Sequence, residues 1–156
     1  NCMFCPLADS CTALSKGQVM QLPVKQHRIK TSNRYFNYIY VRMGACTFIH
    51  KRTADDIWKN LFELPLVETD RDLSEEEFLS SVSFRSLMAE GEIPEVRSVL
   101  RNVKHVLSHR VIYANFYEVV LPENSRSFSE YQCIGMEDLE QYPVSRLVHA
   151  FLEKYV

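Results

Sequence analysis

Glycine and proline are scarce in this chain of 156 residues, with only four and six copies. Disordered segments are rich in such residues and poor in apolar ones, whereas 46% of this chain is hydrophobic. The composition therefore excludes a long disordered region. No apolar run approaches the roughly 18 residues that a membrane-spanning helix needs, so we expect no membrane partner. The length fits one domain, with or without a small appendage.

Neither sign of charge dominates, because 18 basic residues face 20 acidic ones and leave a net charge of −2. This balance argues against a wholly basic nucleic-acid binder but allows local basic patches. The five cysteines are an odd number, whereas a secreted disulfide scaffold pairs all its cysteines. We therefore expect a reducing, cytoplasmic location. Cys46 and Cys133 each lie inside an apolar run and are predicted to be buried free thiols.

Three cysteines are crowded into residues 1–16: Cys2, Cys5 and Cys11 follow the pattern C-x2-C-P-x4-C. Zinc sites favour two well-separated cysteine pairs, and no second pair is present. Compact cysteine runs are typical of iron–sulfur sites, since thiolates are soft ligands that suit iron. The spacing therefore predicts three ligands of such a cluster. The fourth ligand comes from elsewhere in the chain or from a segment upstream, and a first residue Asn1 rather than Met favours the latter.

A polar and basic stretch follows, and its lack of periodicity together with Pro23 indicates an interdomain linker over residues 17–33. Four cations in or beside it, Lys25, Arg28, Lys30 and Arg34, could follow a phosphate backbone. A merely solvated linker is the alternative.

The remaining residues, 34–156, alternate between strand and helix patterns. Aromatic and β-branched residues at 35–41 predict a strand, Gly44 a turn, and residues 45–50 its hairpin partner. A short strand is predicted within 61–68, with Pro65 at an edge or bulge. Ser74 and Glu77 predict a capping box that begins a helix, and a second short helix is expected at 84–88.

Two long strand-like runs at 96–107 and 111–121 predict a hairpin, and a short strand is expected at 131–134. Apolar residues at 144, 147, 148, 151 and 152 predict an amphipathic helix. The order indicates an α+β mixed sheet flanked by helices. This arrangement suits a Nudix-like (MutT-like) fold.

The catalytic signature of Nudix hydrolases is absent from the sequence. It needs a glutamate six residues after a glycine, and the four glycines have Pro23, His50, Arg97 and Gln141 at that position. The acidic run at 75–77 is better explained as a helix first turn, where negative charge is favourable. Magnesium-dependent nucleotide hydrolysis is therefore not expected. Magnesium-dependent turnover of nucleoside diphosphates by this chain would contradict that expectation.

The turn of the long hairpin is the second candidate site. Ser108 stands there among basic side chains: Arg101, Lys104, His105, His109 and Arg110. Such donors can read base edges, and Leu107 could wedge between bases. A polar turn with solvated charges is the alternative. Trp58, the single tryptophan, is interpreted as a core residue rather than a stacking surface.

These features together resemble the C-terminal portion of MutY-type (A/G-specific) adenine DNA glycosylases. The family's cluster motif is C-x6-C-x2-C-x5-C, and Cys2, Cys5 and Cys11 match its last three cysteines. Its Phe-Ser-His loop is similar to Leu107-Ser108-His109, with leucine in place of phenylalanine, a change that keeps an apolar wedge but loses aromatic stacking. Residues 57–65 look like the family's G-L-W-G-G-L-[WY]-x-[FL]-P segment without its glycines, and residues 143–147 fit its usual ending.

The resemblance implies a bacterial base-excision repair enzyme that removes adenine mispaired with 8-oxoguanine or guanine in double-stranded DNA. Its catalytic residues would lie in an N-terminal domain outside this chain, which flips the adenine out of the helix. Leu107, Ser108 and His109 would recognise the lesion, and His105, Arg110 and the linker cations would contact DNA. Cys2, Cys5 and Cys11 would hold a 4Fe-4S cluster in the full-length protein, though not intact in this fragment. We expect this piece to be non-catalytic and monomeric.

One further interpretation of the sequence is a stand-alone, non-catalytic Nudix-like module that binds a nucleotide or a protein. The glycosylase interpretation requires a cysteine seven positions before Cys2 in the parent sequence, whereas the stand-alone module does not.

Overall fold

The computed structural model describes residues 2–22, 24 and 30–156, without the side chain of Met3. The chain divides into two compact units, residues 1–30 and 31–156. In the first unit, two 3-10 turns at Cys2–Phe4 and Ala8–Ser10 precede a short helix, α1, at Thr12–Ser15.

The second unit contains a sheet of seven strands: β1 (Ser32–Met43), β2 (Cys46–Lys51), β3 (Phe62–Glu63), β4 (Leu66–Thr69), β5 (Glu95–Val106), β6 (Arg110–Leu121) and β7 (Gln132–Gly135). The strand order is β3-β2-β1-β6-β5, with β4 also paired to β1 and β7 to β2. β1 and β6 run parallel over their whole length, and the other pairs are antiparallel. The sheet is therefore mixed.

Both faces of the central strands are buried, because successive side chains of a strand point to opposite faces. On one face, Phe36, Tyr38 and Phe116 pack under α4, which spans Arg146–Tyr155. On the other, Ile39 and Tyr117 pack with α2 (Glu75–Ser80) and α3 (Val82–Arg85). The result is a sheet with helices on both sides, which confirms the predicted α+β fold.

Serine side chains cap the starts of α2 and α4, and the sequence predicts the first of these caps. The Ser74 hydroxyl accepts from the Glu77 amide at 3.2 Å, and the Ser74 amide donates to the Glu77 carboxylate at 2.8 Å. This reciprocal pair confirms the capping box at the start of α2. Ser145 caps α4 by accepting from the Val148 amide, and α4 buries the predicted apolar stripe through Leu147, Val148 and Phe151.

The structure differs from the sequence-based expectation in three local places. Residues 61–68 form two strands rather than one, because Pro65 separates β3 from β4 while its carbonyl accepts from the Ile39 amide at 2.8 Å. The second helix begins at Val82, where Ser81 provides an N-cap for the Phe84 amide. A 3-10 segment at Met136–Gln141 has no counterpart in the prediction.

The prediction that Cys46 and Cys133 are buried is wrong. Cys133 is exposed and Cys46 is half-buried. Among the described residues β7 pairs with β2 alone, so it is an edge strand whose side chains are not covered on all sides. An apolar sequence run does not reveal whether its strand lies at an edge.

Candidate nucleic-acid interface

The β5–β6 hairpin closes with a tight loop, and we call residues 107–110 the hairpin tip. The Leu107 amide donates to the Arg110 carbonyl at 2.8 Å, which leaves Ser108 and His109 as the two loop residues. Both are exposed. Within residues 2–22, 24 and 30–156, neither the Ser108 hydroxyl nor the His109 imidazole has a hydrogen-bond partner. The tip therefore presents a hydroxyl and an imidazole that are available to a ligand.

The hairpin tip is attached to the sheet through its backbone. The Ser32 amide donates to the His109 carbonyl at 3.2 Å, and Ser32 pairs with Arg110 at the start of the parallel β1–β6 ladder. The polar side chains of the tip are thus presented from a rigid strand pair rather than from a long loop.

Leu107 does not project freely as the wedge hypothesis assumes. Its side chain is partly buried and packs against the core cluster under α4. It supports the tip from beneath, so any contact with a base would use only its exposed part.

His105 lies two residues before Leu107 and is half-buried. Its ring centroid is 5.8 Å from that of Trp58, and Trp58 in turn meets Phe36 edge-on at 6.3 Å. Trp58 packs against the core cluster, as predicted. Its φ of 58° is in the left-handed region, so the loop between β2 and β3 takes a strained path that places the indole beneath the hairpin.

Arg110 is held in place by Asp56, which belongs to the same β2–β3 loop. One oxygen of the Asp56 carboxylate accepts a hydrogen bond from Arg110. The other oxygen accepts from Arg34 at 2.6 Å and from Arg52 at 3.2 Å. We call Asp56 with these three arginines the Asp56 cluster.

The expectation that Arg34 is a free linker cation is not met. Arg34 lies in β1, and its side chain is only 15% exposed. Besides Asp56 it binds the Glu68 carboxylate through two hydrogen bonds, at 2.6 and 2.7 Å. Two acidic partners thus already occupy its guanidinium, a contact that no local sequence pattern indicates because Glu68 and Asp56 are distant in the chain.

The Asp56 carboxylate stays ionised well into acid. Burial alone would raise its pKa, but hydrogen bonds from the Ile57 backbone and from Arg34 and Arg110 outweigh that effect and lower the pKa to about 2. A carboxylate that accepts several donors favours its charged form. The Asp56 cluster is therefore a persistent ionic junction between the sheet and the hairpin tip.

A second acidic residue extends this network inward. Glu63 is 2% exposed and accepts from Arg52 at 2.9 and 3.0 Å. His50 and the Tyr38 hydroxyl also contact its carboxylate. Sequence reasoning missed Asp56, Arg52 and Glu63, since they come from separate strands and loops and form no motif.

The other predicted DNA-contacting residues are located as follows. Lys30 is exposed, and Lys25 and Arg28 lie outside the described residues. Arg101 binds the Leu73 carbonyl at 2.7 Å and the Tyr117 hydroxyl at 3.1 Å, so it is turned toward α2. Lys104 is exposed on β5 near the tip.

The three N-terminal cysteines are all free thiols; Cys5 is exposed and the other two are half-buried. Across residues 2–22, 24 and 30–156, no three histidine, cysteine or acidic side chains are grouped closely enough to hold a metal ion. Cys2, Cys5 and Cys11 therefore do not form an assembled ligand set in this structure. The same finding applies to the described Glu75, Glu76 and Glu77, of which Glu77 is engaged by the capping box and by Arg71.

A mixed sheet with helices on both faces defines the class of this domain as α+β. The sequence profile of the NUDIX domain family matches residues 37–154. The chain therefore belongs to the NUDIX domain family. No helix in the described part of the chain is long and apolar enough to span a membrane.

Several solved structures share this fold at low sequence identity. The C-terminal domain of mouse MUTYH, solved in complex with human PCNA, is 13% identical with a TM-score of 0.59, over 78% of this chain and 86% of that one. A MutT protein from Methanosarcina mazei Go1 is 12% identical with a TM-score of 0.58, over 81% and 95%. The NUDIX domain of Shewanella oneidensis NrtR, complexed with ADP ribose, is 11% identical with a TM-score of 0.55, over 87% and 94%. No curated protein sequence matches this chain significantly.

Proposed function

We propose that residues 31–156 form the lesion-recognition domain of a MutY-type adenine DNA glycosylase, which removes adenine opposite 8-oxoguanine. The observation that carries this proposal is the hairpin tip. It presents Ser108 and His109, two side chains without hydrogen-bond partners among the described residues, on a loop fixed at both ends. The fold shared with the MUTYH C-terminal domain supports the proposal.

The chemistry of the lesion suits these two side chains. In its syn form, 8-oxoguanine displays its 2-amino group in a groove where normal guanine does not. The Ser108 hydroxyl can donate or accept a hydrogen bond, and a neutral His109 ring can accept one from the amino group. Base-edge contacts of this kind distinguish one base from another.

Fewer basic side chains are free to contact DNA than the sequence suggests. Arg34 is engaged by carboxylates, and Arg110 is shared with Asp56. Lys104 on β5 is exposed and remains a candidate for a phosphate contact. Lys30 of the first unit is exposed as well. We therefore propose that this domain contributes mainly to recognition of the lesion and less to the overall affinity for DNA. A catalytic domain would bind the same duplex beside it.

The experiment compares variants of the enzyme that joins this domain to a catalytic domain. Ser108→Ala and His109→Ala are expected to lower the preference for A:8-oxoguanine over A:G duplexes by about 1–3 kcal/mol each. Ser83→Ala and His149→Ala are matched controls, because both residues are exposed and lie on helices. Equal preference in wild type and tip variants would rule out the tip as the lesion reader.

We further propose that the isolated chain releases no adenine. Among the described residues neither Ser108 nor His109 is hydrogen-bonded to a carboxylate, and the Asp56 carboxylate is engaged by Arg110. Incubation of the chain with an A:8-oxoguanine duplex, followed by alkaline strand scission, measures adenine release. Cleavage above the level of a protein-free sample would contradict the proposal.

The cysteines of the first unit have a proposed role in the longer enzyme only. Cys2, Cys5 and Cys11 would supply three thiolates to a 4Fe-4S cluster, with a fourth cysteine upstream. Iron and sulfide analysis of the longer protein, and of its Cys5→Ser variant, tests the assignment. Equal iron content in both would exclude Cys5 as a ligand.

A further inference from the structure

Cys46 and Cys133 lie on adjacent antiparallel strands, β2 and β7. Their register pairs Cys46 with Gly135 and Phe48 with Cys133. The two cysteines are thus offset by two residues, and side chains at such a spacing project from the same face of a sheet. They are diagonal neighbours on that face.

Closure of a disulfide between these two cysteines requires a small movement of β7 toward Cys46. Diagonal residues in an antiparallel pair have α carbons about 7–8 Å apart, and a disulfide usually needs about 4.4–6.8 Å. The residue opposite Cys46 is Gly135, which has no side chain to separate the two thiols. β7 contains four residues, Gln132–Gly135, and pairs with β2 alone in the described part of the chain, so few backbone hydrogen bonds oppose such a movement.

The two thiols already influence each other. Burial is the main cause that raises the pKa of Cys133, and the neighbouring Cys46 thiol raises it further. Cys133 is nevertheless exposed to solvent, and Cys46 is half-buried. A small solvent-borne reagent can therefore reach the pair.

We propose that Cys46 and Cys133 form an oxidation site that closes to an intramolecular disulfide when the protein meets a peroxide. One thiolate attacks a peroxide oxygen, the O–O bond breaks, and a sulfenic acid and one alcohol or water form. The second sulfur then attacks the sulfenic sulfur and releases water. In total two thiols and one peroxide yield one disulfide, one alcohol or water and one further water.

The disulfide is expected to link β7 covalently to β2. The cross-link would enclose residues 47–132, and a link across so long a segment restricts the unfolded chain strongly. It would also fix the start of the 3-10 segment at Met136–Gln141, which follows β7 directly. The site lies on β2 and β7, whereas the hairpin tip joins β5 and β6, so this inference does not depend on the proposed DNA function.

The test uses the full 156-residue chain with Cys2, Cys5 and Cys11 replaced by serine, so that only the pair remains. After brief treatment with hydrogen peroxide, free thiols are alkylated and the digested protein is analysed by mass spectrometry. We expect a linked peptide pair that contains Cys46 and Cys133 and has lost two hydrogen atoms. The melting temperature should rise by roughly 6–12 °C, and both effects should reverse with dithiothreitol.

The rate provides a second measurement. Because the thiolate is the reactive form, linkage should accelerate as the pH rises from 7 toward 9. Cys46→Ser and Cys133→Ser in the same background should each abolish the linked peptide and the gain in melting temperature. Wild-type protein is measured in parallel and should give the same linked pair.

Two results would overturn the proposal. One is recovery of Cys46 and Cys133 as separate alkylated peptides after peroxide treatment. The other is their separate oxidation to sulfinic acids without linkage, which would show that the sulfur atoms cannot meet.

Discussion

The Asp56 carboxylate accepts a hydrogen bond from Arg110, the residue that directly follows His109 in the hairpin tip. Asp56 comes from the loop between β2 and β3, and its second oxygen binds Arg34 of β1. Three separate segments therefore meet at one carboxylate. This junction sets the position of the β5–β6 turn relative to the sheet.

Asp56→Asn is expected to destabilise the protein, because the amide keeps the size of the side chain but removes its charge. Arg34, Arg52 and Arg110 would lose their shared anionic partner. Removing one partner of a buried ion pair costs about 3–5 kcal/mol, and since this site is 21% exposed we expect about 1–3 kcal/mol. Urea unfolding of both proteins measures the change.

Asp55→Asn is the matched control for that experiment. The neighbouring Asp55 is 97% exposed and pairs with Lys59 at 3.2 Å. Exposed pairs contribute about 0–1 kcal/mol, so this variant should unfold nearly as wild type does. Similar losses in both variants would show that the Asp56 cluster adds nothing specific to stability.

Asp56→Asn should also weaken lesion discrimination in the longer enzyme if the tip reads 8-oxoguanine. A loosened Arg110 would release the tip while leaving Ser108 and His109 chemically intact. We expect a smaller affinity ratio between A:8-oxoguanine and A:G duplexes, with little change for undamaged duplex DNA. Asp56→Glu, which retains the charge, should recover part of the ratio, and failure of that recovery would argue against a positioning role.

The stability of the protein should depend on Asp56 in acid. Its folded-state pKa of about 2 lies below the ordinary value of 3.8, so the stabilisation is complete above about pH 4 and is lost as the pH falls toward 2. The free-energy difference between wild type and Asp56→Asn should shrink across this window by about 1–2 kcal/mol. Glu77 also has a lowered pKa, through Arg71 and the Ser74 amide, and it titrates equally in both proteins. A constant difference between pH 5 and pH 2 would contradict the assignment.

The secondary structure could be predicted from the sequence wherever a local pattern decides it. The capping box at Ser74, the apolar stripe of α4 and the long β5–β6 hairpin depend on neighbours within a few residues. The sheet order could not be obtained in this way, since the parallel pairing of β1 with β6 joins residues far apart in sequence. Burial of cysteines was mispredicted for the same reason.

The residues of the candidate site likewise fall into those that a local sequence pattern identifies and those that only contacts between distant segments identify. Ser108 and His109 are local features of a turn and were found by pattern. Asp56, Arg52 and Glu63 contribute through contacts between segments, and the engagement of Arg34 by Glu68 and Asp56 appears only in three dimensions. The sequence predicts candidate ligand-binding groups, and the structure shows which of these side chains are already engaged by other residues and which are exposed.

Ser74→Ala is predicted to cost about 1 kcal/mol of stability. The substitution removes the acceptor for the Glu77 amide and weakens the reciprocal contact at the start of α2. Ser80→Ala is a suitable control, because the Ser80 hydroxyl only donates to backbone carbonyls of the same helix. The two variants are compared by thermal unfolding, and equal melting temperatures would show that the cap is dispensable.

Leu107→Ala separates two roles of the leucine that stands where the resembled family has phenylalanine. Because Leu107 packs against the core cluster, its truncation should destabilise the protein by about 1–2 kcal/mol, less than for a fully buried leucine. Val106→Ala is the matched control, since Val106 is the adjacent apolar residue and is 65% exposed. Urea unfolding and duplex binding are measured on both. A loss of stability in Leu107→Ala alone, with unchanged affinity for A:8-oxoguanine, assigns Leu107 to support of the tip, whereas a loss of affinity at unchanged stability would restore the wedge.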